Sequence, residues 1–223
     1  QKKDCKKYTM VTYEHLDFLE NIITIINKEN INGSIVECGV WKGGCCMWML
    51  YCQKKYNMDR KIYLYDTFEG MTKPDSIKDD KKALEIYNNI LNKNYNRGYD
   101  DWHKENKWAF APIDYVKNNI NSIKYKDDNI IYVKGDVCKT LDKTIPTKIS
   151  ILRLDTDWYN STKKELDILF PLVSKNGYII IDDYYAWKGS RTAADEFMKT
   201  NKKNVEIINN KLTGGIFVFK KLI

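Results

Sequence analysis

Two apolar runs that each end on aspartates, 27 residues apart, constrain this chain more than any other feature. The first reads Ile149-Ser150-Ile151-Leu152-Arg153-Leu154 before Asp155-Thr156-Asp157, and the second Tyr178-Ile179-Ile180-Ile181 before Asp182-Asp183. Between them lies one helical stretch, Glu165–Val173, opened by the capping pattern Thr162-Lys163-Lys164-Glu165 and stopped by Gly177. Two strands joined by a single helix run parallel and adjacent, about 4.8 Å apart. Their terminal carboxylates are therefore expected to converge at one edge of a sheet.

The same alternation fills the rest of the chain. Residues 13–29 place Leu16, Leu19, Ile22, Ile23 and Ile26 on one helical stripe. Ser34-Ile35-Val36-Glu37-Cys38 reads as a buried strand, Gly39 to Gly44 as a turn, and Cys45–Tyr56 as an apolar helix. Further strands are expected at Lys61–Asp66, Ile130–Lys134, Val205–Ile208 and Ile216–Phe219, the last two forming a hairpin. The pattern predicts an α/β sandwich with a mostly parallel sheet and an antiparallel edge strand. Its 223 residues suit a single domain, 1–223. About sixty residues separate the second strand from the third, more than a crossover needs. They hold an amphipathic helix near 79–93, a Trp102-His103 loop and a helix opened by Pro112, and are read as a helical lid insertion over about 71–129.

Composition removes several classes. The formal charge is +7, but only Arg60, Arg97, Arg153 and Arg191 are arginines and the lysines are scattered, so no basic face for nucleic acid is expected. No apolar run approaches the ~20 residues that span a bilayer, and residues 1–5 show no hydrophobic signal core. A cytoplasmic protein with reduced cysteines follows as the expectation. Four of the six cysteines fall between Cys38 and Cys52 without a Cys-x-x-Cys pair, which reads as helix packing rather than zinc binding.

The first turn, Glu37-Cys38-Gly39-Val40-Trp41-Lys42-Gly43-Gly44, departs from a dinucleotide fingerprint. Trp41 fills the second glycine position, where backbone must approach a pyrophosphate, and Glu37 would repel a diphosphate. A carboxylate at that strand end suits a ligand bearing an ammonium group, such as the methionyl part of S-adenosylmethionine. Asp66 ends the second strand, ahead of Thr67, and is placed to accept from a ribose diol. Asp136 follows the third, placed for an adenine amino group. Glu37, Gly39, Trp41, Gly43, Asp66, Thr67 and Asp136 form the candidate donor-binding set.

Four carboxylates crowded at the next two strand ends repel one another unless they take up protons or share a cation. An all-oxygen set favours Mg²⁺, Mn²⁺ or Ca²⁺ over zinc.

The run LRLDTDWYNSTKKELDILFPLVSKNGYIIIDDYYAWKGSRTAADEF, together with VECGVWKGG, YDTFEGM and YTMVTYEHL, resembles the macrocin O-methyltransferase (TylF-type) family of metal-dependent sugar O-methyltransferases. The similarity extends from about Tyr8 to Phe197. It implies a Rossmann-like class I methyltransferase sandwich, with S-adenosylmethionine as methyl donor. By position it makes Asp155, Asp182 and Asp183 the Mg²⁺ ligands and Asp157 the general base, with Glu37, Gly39, Asp66 and Asp136 in the donor pocket. Gly135-Asp136 stands where family members often carry Gly-Trp, and the stretch around 73–100 departs from the family.

A sugar hydroxyl is a poor nucleophile at neutral pH. A divalent ion chelated by two adjacent substrate oxygens lowers its pKa and fixes its approach. Asp157 would then take the proton, with His103 as the alternative base. The expected acceptor is a small vicinal diol, probed against two alternatives: a catechol-type acceptor, and a non-catalytic module that binds nucleic acid. Apolar side chains of the first long helix offer a face for a homodimer.

Overall fold

The computed structural model describes residues 1–92, 107–208 and 216–223. Its elements are α1 (Lys2–Lys6), α2 (Tyr13–Lys28), β1 (Ser34–Cys38), α3 (Gly44–Lys55), β2 (Ile62–Asp66), α4 (Lys81–Leu91), α5 (Ile113–Asn121) and β3 (Ile130–Lys134). There follow α6 (Val137–Thr140), β4 (Ile149–Leu154), α7 (Tyr159–Leu169), β5 (Val173–Ile181), α8 (Lys188–Asn201), β6 (Val205–Ile207) and β7 (Phe217–Lys221).

The strands form one sheet in the order β3-β2-β1-β4-β5-β7-β6. The pairs from β3 through β5 are parallel, whereas β7 runs antiparallel to both β5 and β6. The antiparallel strand is therefore one place in from the edge, with β6 outermost. Side chains alternate between the two faces, as strand geometry requires. Ile35, Ile62, Leu64, Ile151 and Ile180 pack with α2, α3 and α5 on one face. Val36, Leu152, Ile179 and Phe219 pack with α7 and α8 on the other.

The stripe on α2 is spent in this core: Leu16, Leu19, Ile22, Ile23 and Ile26 are all buried, so they offer no face to a second copy. All six cysteines are free; four of them line α3 or the strand before it and are buried. No helix among the described residues is long and apolar enough to cross a membrane.

Three local expectations are corrected. Helix α7 starts at Tyr159 with Trp158 as its cap, so Thr162 and Glu165 lie inside it rather than forming a capping box. Both are buried, and Glu165 turns inward to the Thr156 hydroxyl at 3.0 Å. Gly177 is a residue of β5, and α7 ends instead in a tight turn at Phe170–Leu172 around Pro171. Helix α8, which the sequence reading did not anticipate, buries Gly189, Ser190, Ala193, Ala194 and Phe197. Apart from Phe197 its inner face is built from small residues, so it lacks the run of large aliphatic side chains that marks α2.

Candidate active site

Backbone hydrogen bonds bring the strand ends level. Asp155 N–H donates to Cys38 O (2.8 Å), Asp182 N–H to Leu154 O (2.9 Å), and Gly135 N–H to Asp66 O (2.9 Å). Gly39, at φ +85°, lies so close to Asp155 that a Cβ there would overlap its carbonyl oxygen and stand 2.6 Å from the carbonyl carbon. Only glycine allows β1 and β4 to end side by side in this way.

At this edge the carboxylates of Asp155, Asp157 and Asp183 each place an oxygen within 4.8 Å of the others. Asp157 adopts φ +66°, a left-handed conformation in which aspartate is better tolerated than most residues. Burial pushes Asp155 up to about 6 and Asp157 up to about 7, with Asp182 and Asp155 respectively adding like charge. Asp183 is raised further, by burial first and then by Asp157 and Asp155. Its Oδ2 is buried without a hydrogen-bond partner.

Asp182 departs from the expected ligand trio in this arrangement. Its Oδ2 lies 3.2 Å from the Arg153 guanidinium, and its Oδ1 lies 3.2 Å from His15 Nδ1. Arg153 is only 1% exposed and also contacts Asp155 Oδ2 at 2.8 Å and Glu37 Oε1 at 2.8 Å. Once these three carboxylates share one guanidinium, Asp182 is drawn toward it, and Asp157 takes the third place in the cluster. His15 is 4% exposed, and burial lowers it to about 3, so its imidazole is neutral. Glu37 is pushed up to about 8 by burial, against the pull of Arg153.

The donor-side residues divide. Asp66 Oδ2 accepts from Val40 N–H (2.7 Å) and Trp41 N–H (2.9 Å), and Oδ1 from Phe68 N–H (2.7 Å). The expected ribose clamp thus has most of its acceptor capacity committed to holding the first turn, where Trp41 sits at φ +48°. Thr67 donates to Gly70 O at 2.6 Å. Asp136 caps α6 by accepting from Cys138 N–H at 2.9 Å, and lines a cavity with Asp66, Thr67 and Gly39. Gly43, at φ +90°, lines neither of the two cavities at this edge. A Cβ there would press on Val116 and Ile120 of α5, so this glycine serves the packing of α3. His103 and Trp102 lie outside the described residues.

Two clefts meet at the acidic cluster. They hold about 750 Å³ and 1050 Å³ of empty space, counting the part open to solvent. Met10, Trp41, Trp108, Asp155 and Asp157 line both. Trp108, Trp158 and Trp187 form a triangle of edge-to-face rings with centroids 5.6–5.7 Å apart, and Trp108 and Trp187 wall the second cleft.

A family model described as macrocin-O-methyltransferase (TylF) matches residues 3–218. The chain belongs to that family. Among its relatives, demethyldecarbamoylnovobiocin O-methyltransferase of Streptomyces niveus is 28% identical over 196 residues, covering 85% of this chain and 67% of the relative. Mycinamicin III 3''-O-methyltransferase of Micromonospora griseorubida is 26% identical over 204 residues, covering 90% and 74%. The structure of the O-methyltransferase NovP superposes with a TM-score of 0.80 at 23% identity, covering 97% of this chain and 83% of NovP. The TylF-family chain therefore has the class I methyltransferase fold.

Three buried residues of this TylF-family site escaped the sequence reading: Arg153, His15 and Glu165. Arg153 had a signal, since a charge inside the strand Leu152-Arg153-Leu154 demands buried partners. Glu165 is completely buried beneath the Asp155–Asp157 loop, and burial lifts it to about 8. The folded chain then keeps the Glu165 proton up to about pH 8, while the unfolded chain releases it near 4.5. The folded state binds the extra proton within that window, so this residue's contribution to stability is lost as pH rises through it. Chemical denaturation in EDTA at pH 5 and pH 8 should show Glu165→Gln losing less stability than the parent chain, by on the order of a few kcal/mol. Equal losses would exclude a buried neutral Glu165.

Proposed function

We propose that this chain transfers a methyl group from S-adenosylmethionine to one hydroxyl of a vicinal diol, on a sugar or sugar-containing metabolite, with Mg²⁺ held by its aspartates. The observation that carries the reading is the meeting of three carboxylates where two clefts join, beside the first turn of a methyltransferase fold. The names of the relatives, which include an O-methyltransferase of mycinamicin III, support a small-molecule acceptor over nucleic acid.

The donor set suits a hard divalent cation. It offers only carboxylate oxygens, and Asp183 Oδ2 is buried and unsatisfied. Asp155 and Asp183 would hold Mg²⁺, with Asp157 at the same cluster and Asp182 tied to Arg153 and His15 behind it. A divalent ion bound there supplies Lewis acidity, lowering the pKa of a coordinated hydroxyl. Asp157, raised to about 7, is matched to taking a proton from the acceptor near neutral pH. On the donor side, Gly39 and Trp41 shape the first turn, Thr67 and Asp136 line the first cleft, and Glu37 faces the second. Asp136 keeps one carboxylate oxygen for an adenine amino group while the other caps α6. Trp108 and Trp187 give the acceptor an apolar wall opposite the acids. We read residues 1–223 as one domain with an insertion over about 71–129, whose described residues Met71, Thr72, Trp108 and Ala109 line the first cleft.

The test supplies methyl-labelled S-adenosylmethionine and Mg²⁺ with two acceptor panels, glycosides bearing free vicinal diols and simple catechols. Label in a glycoside is the expected result. Transfer to catechols alone would move the reading to a catechol-type enzyme, and transfer to neither panel would overturn it.

A further inference from the structure

Helices α7 and α8 start just behind the two acidic strand ends, yet neither is capped by a side chain of its own. Trp158 and Trp187 stand at the cap positions and offer no acceptor. The first backbone donors are met instead from the segment that precedes α4. Asp79 Oδ1 accepts from Tyr159 N–H at 2.8 Å, and Asp80 Oδ2 accepts from Lys188 N–H at 2.6 Å.

The Asp79 contact is built with care on every side. The residue is 6% exposed, and its other oxygen accepts from Asp75 N–H at 2.7 Å. Gly189, the second residue of α8, makes room for it: a Cβ there would stand 1.7 Å from Asp79 Oδ1 and 2.8 Å from Tyr159 N. Two further bonds tie the same segment to the start of α7. The Trp158 indole N–H donates to Thr72 O at 2.9 Å, and the Asn160 amide donates to Asp75 Oδ2 at 3.3 Å.

Asp157 lies two residues before Tyr159, at φ +66°. A left-handed residue other than glycine persists where its surroundings over-determine it. On the upstream side the loop is fixed by Asp155 N–H on Cys38 O. On the downstream side it is fixed by the Trp158 indole and the Tyr159 amide, both held by residues 72–79. Asp80 has no such reach. Lys188 is five residues beyond Asp183, across a turn that closes on itself, with Ala186 and Trp187 N–H both donating to Asp183 O.

We infer that Asp79 is a positioning residue for the general base: by capping α7 across the fold, it holds the Asp157 carboxylate at the acidic cluster. The inference rests on the assignment of Asp157 given above. It gives the insertion a part in the chemistry, exerted through the backbone behind the base.

The experiment compares Asp79→Ala, Asp79→Asn and Asp80→Ala with the parent chain. It reads Tm, amide hydrogen exchange over residues 155–162, and turnover with saturating S-adenosylmethionine, Mg²⁺ and the glycoside that takes label. Each alanine removes one cap, so both should lower Tm by about 2–4 °C. Only Asp79→Ala should speed exchange over 155–162 and lower kcat, by about tenfold to a hundredfold, with KM for S-adenosylmethionine unchanged. Asp79→Asn sheds the charge as alanine does but keeps an oxygen for Tyr159 N–H, so it should recover most of both. Asp79→Leu, close to aspartate in shape, replaces the alanine variant if that chain does not fold. Equal kcat in Asp79→Ala and Asp80→Ala, unchanged exchange in Asp79→Ala, or an Asn variant as slow as the alanine one overturns the inference. A parent chain that labels no glycoside instead removes the reading beneath it, while exchange still reports whether Asp79 holds the loop.

Discussion

Chelation with EDTA is expected to abolish methyl transfer, and added Mg²⁺ or Mn²⁺ to restore it. The acids at the ends of β4 and β5 are the reason. Burial and mutual repulsion raise Asp155, Asp157 and Asp183 together, a cost that a shared divalent ion relieves. The ion would also carry the acidity that a sugar hydroxyl lacks. A loss of several kcal/mol of transition-state stabilisation corresponds to about a thousandfold in rate. Asp155→Asn should reproduce the effect in the presence of Mg²⁺, because it removes a charged ligand while leaving Arg153 beside the site. Its Mn²⁺ affinity, followed by the resonance of the free ion, should fall in parallel. Undiminished turnover in excess EDTA would remove the metal from the reaction and leave the cluster a purely structural feature.

What the chain order reveals of this site, and what it hides, follows from the range of each interaction. The strand ends are legible because an apolar run closing on an acid is a local pattern, and parallel pairing brings such ends level. The first turn is legible for the same reason, down to the glycine at position 39. The partners of those acids are not local. Glu37 meets Arg153 across 116 residues, and Asp66 meets the amides of Val40 and Trp41 across 26 and 25. Spacing alone therefore places Asp66 at a strand end but does not show the amides of the turn that it holds. Asp182 is the sharper example. Its position beside Asp183 implies a ligand, yet it meets Arg153 and His15, and His15 belongs to α2, whose approach to the end of β5 is not a local pattern. Helix α8 was hidden for a different reason: its inner face is Gly, Ser and Ala with a single Phe, so it offers few large apolar residues to mark it.

Asp157→Asn should lower kcat by about a hundredfold to ten-thousandfold, the usual contribution of a positioned general base. Two features make this substitution a clean probe. Asparagine tolerates the left-handed backbone at φ +66° about as well as aspartate, so the loop from Asp155 to Trp158 should keep its course. The amide also retains an oxygen that can face a cation, while losing the ability to accept the acceptor's proton. Turnover should therefore collapse while Mn²⁺ binding changes only a few-fold and thermal stability holds. The geometry makes the opposite result informative. Asp157 shares the cluster with Asp155 and Asp183, all within 4.8 Å, so the same carboxylate is near enough to serve as a ligand. If Mn²⁺ affinity falls in proportion to kcat, Asp157 acts through the ion, and the proton must leave by another group. A variant that loses kcat alone assigns the proton to Asp157, because its neighbours would then hold the ion without it.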